Sequence, residues 1–262
     1  MDFPHLIFTV SLIGLWLVAE IGALLRRKLR ILQEDERQDF TLVLGATLTL
    51  LGLIIGFSFS MVITRYDQRK NYEEDEANAI STEFVRADLL PAEDKVKIRE
   101  MLKLYLEQRV LFYEARDAQQ LTRINSATAH LQVGLWSAVQ AATLKQPTCT
   151  VALAASGMND VLNSQGYTQA AWWNRLPMGA WLFLLVIAAL CNFLIGYSSH
   201  RNDLVVLMIL PLAVSISFFL IADIDSPRRG LIQVVPQNLL SLSQSLVGYS
   251  GFLRPLPPSL PQ

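Results

Sequence analysis

Thr41 to Thr64 runs for 24 residues without one ionisable side chain, and nothing else in the sequence constrains the fold as tightly. At 1.5 Å per residue a helix of that length crosses the roughly 30 Å of hydrocarbon in a bilayer. Three other stretches have the same character: Leu6 to Leu25, with Glu20 its one acid, then Met178 to Ser198 and Leu204 to Ala222, both uncharged. In lipid every backbone N–H and C=O must be satisfied within its own segment, so each run is a helix. A hydrophobic share of 52% and a mean hydropathy of +0.33 agree, being high for a soluble domain. The expected fold is an all-α integral membrane protein with four transmembrane helices in two hairpins.

The first run differs from a secretory signal. Met1-Asp2-Phe3-Pro4-His5 offers no basic lead, and Arg26-Arg27-Lys28 follows in place of a cleavage site. It is read as a retained helix, and neither end carries a lipidation pattern. About fifteen residues, "RRKLRILQEDERQDF", join spans one and two, and a tight turn around "SHRND" joins three and four. The expected layout is a transmembrane hairpin over 1–64 (spans about 6–25 and 41–64), a large helical insert over 65–177, a second hairpin over 178–222 (spans about 178–198 and 204–222), and a tail over 223–262. An even number of crossings puts the insert and both termini on one side. Charge does not say which. Arg26, Arg27, Lys28, Arg30, Arg37 and Arg201 on the loop side balance Arg65, Arg69, Lys70, Arg175, Arg228 and Arg229 on the other.

The insert reads as helical. Ile98, Met101, Leu102, Tyr105, Leu106 and Phe112 share one face, and Ala77, Ile80, Phe84 and Ala87 repeat the spacing on a helix continuing out of the second span. Pro91 ends that helix at Leu90. A further helix is predicted over 118–145, stopped before Pro147, with shorter ones over 151–163 and 168–176 separated by Gly166. The proline-rich end, "FLRPLPPSLPQ", reads as a polyproline-type tail.

Catalytic signatures are absent, so no enzyme is expected. His5, His130 and His200 are too scattered for a metal site, and no phosphate loop, nucleophile elbow or dinucleotide fingerprint occurs. Cys149 and Cys191 fall in the insert and mid-span, which excludes a disulfide between them. No cofactor is implied, and a net charge of −1 gives no reason to expect nucleic acid. Glu20 reads as an interfacial acid or, more sharply, as an ion site. Glu73, Glu74, Asp75 and Glu76 read as a solvated face or, repeated around an oligomer axis, as a ring concentrating cations. Asn192 is expected to hydrogen-bond a neighbouring helix, Pro211 to kink the fourth span, and Trp172, Trp173 and Trp181 to form an interfacial aromatic belt.

Within the second span, Gly52, Gly56 and Ser60 make a ridge of small residues suited to close helix packing. The sequence that follows, "GFSFSMVITRYDQR", resembles the second transmembrane helix of bestrophins, with Gly56, Phe57, Val62, Thr64, Arg65 and Tyr66 in matching positions. Over nearly its whole length the chain is similar to a bacterial family of bestrophin-like membrane proteins. The shared segments are "GFSFSMVITRYDQR", "EEDEANAISTEFVRADLLP", "MNDVLNS", "NRLP", "NFLIGYSSHRND" and "DIDSPRRGLIQV".

That resemblance implies a homo-oligomeric ion channel, a pentamer, with the second helices around the pore. Carried over by position, the neck would be lined by Thr49, Leu53 and Phe57, four residues apart, closing by dewetting. Gly52 and Gly56 would lie beside that stripe, while Arg65 and the acids 73–76 would set the charge at the pore mouth. The partners implied are further copies of the chain, the lipid bilayer and small inorganic ions. The location implied is a bacterial inner membrane with the insert in the cytoplasm. Thr49 is smaller and more polar than the family's usual residue there, which implies a wider or displaced neck. "ADIDSPRRG" supplies only Asp223 and Asp225, too few oxygens for the calcium site of the animal members, so calcium activation is not expected. A second function class stays open: a non-conducting membrane scaffold or sensor whose helical insert binds a partner protein.

Overall fold

The structure is a computed structural model. It describes the backbone of residues 3–28, 34–198 and 204–252, and their side chains apart from 34–37, 204, 206 and 247–252. Eight α-helices follow one another among the described residues: α1 (Pro4–Lys28), α2 (Glu34–Arg86), α3 (Ala92–Glu114), α4 (Ala118–Lys145), α5 (Cys149–Trp173), α6 (Met178–Ser198), α7 (Leu204–Asp225) and α8 (Gln237–Phe252). Four helical stretches are long and apolar enough to cross a membrane, in α1, α2, α6 and α7. Arg30, His200, Arg201, the "SHRND" turn and the proline-rich end lie outside the described residues.

The chain divides into two compact units, Met1–Tyr66 with Asn174–Gln233, and Asp67–Trp173 with Val234–Gln262. In the first, α1 packs on both α6 and α7. Its core holds Leu15, Leu51, Val62, Leu184, Phe218 and Ile221. Helices α1 and α6 approach each other closely. A Cβ at Gly196 would collide with the Ala19 carbonyl, and one at Gly22 with the Phe193 carbonyl. Small residues thus bring two span helices together, the device that lipid-embedded helices rely on when water supplies no driving force. Arg26 secures the same pair by donating to the Ser198 carbonyl at 2.5 Å, satisfying an orphan acceptor at the end of α6.

The second unit is built on the module end of α2. Ile80, Ile98, Leu102, Leu106, Leu135 and Met158 form its interior. Helix α2 ends in a 3₁₀ turn, Ala87–Leu89, and Leu90 is extended (φ −94°, ψ 158°) ahead of Pro91, the geometry a following proline imposes. Asp117 caps α4 by accepting the Gln120 N–H at 3.3 Å.

Three expectations need correction. Residues 151–176 do not form two short helices; α5 is continuous through Gly166. A helix-interior glycine costs only about 1 kcal/mol, and buried Val151, Ala154, Met158, Val161, Thr168 and Trp172 hold one face together across it. Helix α8 was not among the helices expected from the sequence. The tryptophans are not a belt either. Trp172 is buried 5.1 Å from Phe112, and Trp181 is buried edge-on to Phe218, leaving Trp173 as the exposed member.

Candidate functional site

Helix α2 turns two different faces to its surroundings within the first unit. Leu51, Ser58 and Val62, spaced seven and four residues apart, are buried. On the far side Thr49, Leu53 and Phe57 are exposed, Leu53 by 53% and Phe57 by 63%. Their i, i+4, i+8 spacing keeps them on one stripe. The Thr49 hydroxyl donates to the Gly45 carbonyl at 2.9 Å, so its donor is already engaged within the helix. Gly52, Gly56 and Ser60 are also exposed, and a Cβ on either glycine would meet nothing within 4 Å. The chain's own helices use Gly22 and Gly196 for close packing instead.

Arg65 lies on the buried face, three residues on from Val62. Its guanidinium is 3.6 Å from Asp225, whose two carboxylate oxygens also accept the Leu176 N–H at 3.0 and 3.1 Å. Asp223 accepts the N–H groups of Leu231 and Ile232 at 2.7 and 2.9 Å. A Cβ at Gly230 would strike the Asp223 carbonyl, so the turn after α7 requires glycine. Asp223 thus ties down this turn, while Asp225 is committed to Leu176 and Arg65.

In the second unit the acidic run splits. Glu74 and Asp75 are exposed, whereas Glu73 and Glu76 are buried. Glu73 accepts the Leu239 N–H at 2.9 Å and the Asn238 side-chain amide at 2.7 Å, and so caps the start of α8. Glu76 pairs with Arg109, both completely buried, and accepts the Thr168 hydroxyl at 3.2 Å. Burial pulls Arg109 down, but Glu76, Tyr105 and Tyr113 together outweigh it and hold the guanidinium above its ordinary value. A four-acid solvated ring is thus reduced to its two outward members. The reason is helical: Ile80 marks the inner face, and stepping back four and seven residues from it lands on Glu76 and Glu73.

The same periodicity carried forward finds a residue the sequence reading passed over. Glu83 is fully buried against Gly157, and neither of its oxygens has a hydrogen-bond donor among the described residues. Burial is the main cause that pushes its carboxyl up to about 8. Arg69, also buried on this face, donates to the Ala171 carbonyl at 3.2 Å.

Comparison with known proteins places this arrangement. A bestrophin-like domain matches residues 12–239. The fold is similar to a crystal structure of a bacterial bestrophin homologue from Klebsiella pneumoniae, with a TM-score of 0.65 at 14% identity over 94% of this chain and 98% of that one. A point mutant of the Klebsiella homologue gives 0.64 at 14% identity, over 93% and 99% of the two chains. No curated protein sequence matches. With a single domain match running from mid-α1 into α8, and the same fold found in the bacterial homologue, the chain belongs to the bestrophin-like family.

Proposed function

We propose that several copies of this chain, five by family resemblance, assemble into an ion channel whose pore is bordered by α2. The carrying observation is the stripe of Thr49, Leu53 and Phe57. It is exposed on a helix whose opposite face is packed, in a family resembling the bestrophin channels. Leu53 and Phe57 form an apolar constriction that passes small ions when wetted. Gly52, Gly56 and Ser60 let the neighbouring copy's helix approach, since no described residue lies within 4 Å of a Cβ at Gly52 or Gly56. Glu74 and Asp75 remain to act on ions at the mouth. Arg65 faces Asp225 and acts there only if that pair opens. The insert and both termini lie in the cytoplasm, and the membrane is a bacterial inner membrane.

Planar-bilayer recording of the purified protein tests this. Wild type conducts, and Leu53→Ala and Phe57→Ala raise conductance or open probability by widening the constriction. Silence from all three proteins contradicts conduction and leaves a scaffold whose helical unit binds a partner.

A further inference from the structure

The outer surface of the span-forming unit is not uniformly filled. Beside α1 and α6 lies a cavity of about 590 Å³ whose walls include Leu6, Val10, Leu182, Leu185 and Phe218. It exists because small residues line it, Ser11 and Gly14 on α1 and Ala189 on α6. A Cβ at Gly14 would meet nothing within 4 Å. The α1 residues that line it, Leu6 to Val18, rise about 18 Å. That is close to the depth of one leaflet of a roughly 30 Å hydrocarbon core.

One end of this slot has a different chemistry. Leu6 also borders a second, open cavity of about 600 Å³, lined by Phe3, Pro4, His5, Thr9 and Arg229. The Arg229 guanidinium lies 4.6 Å from the Phe3 ring centroid, is exposed, and makes no ion pair among the described residues. A cation thus stands where an apolar slot one leaflet deep begins. An apolar helix from a second copy would fill the slot and leave Arg229 without an anion. A molecule with a phosphate joined to a long alkyl chain satisfies both.

We propose that these contiguous cavities bind one anionic phospholipid per subunit, with its phosphate at Arg229 and one acyl chain along α1 and α6. No residue of the α2 stripe lines either cavity, so the site stands or falls separately from conduction. One interfacial arginine corresponds to a preference of about five-fold for an anionic over a zwitterionic lipid.

The test counts bound lipid on the delipidated full-length protein by native mass spectrometry, with dioleoyl phosphatidylglycerol, dioleoyl phosphatidylcholine or inorganic phosphate added. Wild type is expected to retain phosphatidylglycerol about five-fold over phosphatidylcholine. Arg229→Gln brings the two lipids to parity, and Gly14→Phe, which fills the slot, lowers retention of both. Leu182→Trp, on the exposed rim, serves if Gly14→Phe does not accumulate. Several results overturn the proposal: equal retention of the two lipids by wild type, an unchanged preference in Arg229→Gln, or full displacement of phosphatidylglycerol by inorganic phosphate. A slot-filling variant that changes subunit number instead of lipid number overturns it in favour of a second copy.

Discussion

Among single residues, Glu83 responds strongly to its surroundings. Its carboxyl is buried with no donor on either oxygen among the described residues, facing Arg86 and Asp160, and burial pushes it up to about 8 from an ordinary 4.5. The folded protein therefore keeps a proton that the unfolded chain gives up. Stability from this group is complete below about 4.5 and falls as pH rises towards 8. Denaturation followed by tryptophan fluorescence is expected to show that decline, and Glu83→Gln to flatten it; a variant with the wild-type slope contradicts the assignment. The Arg109–Glu76 pair makes a second prediction at this scale. Removing one partner from a buried pair leaves an uncompensated charge and costs about 3–5 kcal/mol. Arg109→Met should show that loss in denaturant titration. Adding Glu76→Gln to it should recover most of the stability, because the remaining buried charge is then gone.

At the scale of helices, two sets of glycines behave differently. Gly22 and Gly196 sit where a methyl would enter a neighbouring backbone carbonyl, whereas Gly52 and Gly56 face open space. Gly196→Ala is expected to lower the melting point in detergent, with overpacking costing about 1–3 kcal/mol. Gly52→Ala is expected to leave the subunit's own melt unchanged and to weaken association between copies in a sedimentation measurement. Equal effects in both assays contradict the division. This contrast also shows what a sequence can reveal. The spans are legible because charge-free runs in lipid have one backbone solution, and α4 because Asp117 and Pro147 mark its ends. Helix α5 is hidden by Gly166, whose usual role as a breaker yields here to a continuous buried face. Helix α8 is hidden because its serines mask Leu239 and Leu246, which are buried. The stripe on α2 is legible through resemblance. Which acids of the 73–76 run turn inward follows from the helical spacing back from Ile80, whereas their partners, Arg109 and the start of α8, lie 33 residues and more away, beyond any local pattern.

For the whole molecule, a chain of the bestrophin-like family presents one face of α2 that its own helices do not cover. In the proposed assembly the exposed Leu53–Phe57 stripe and the unfilled glycines beside it are the surfaces that copies would turn to a shared axis and to one another. The proposed conduction, pore lining and mouth charges all depend on that assembly, whereas the proposed lipid site at Arg229 does not. The most direct measurement is the mass of the intact assembly in native detergent. Five subunits is the result expected. A single subunit, or a dimer in which Leu53 and Phe57 are sealed between the two copies, contradicts the channel.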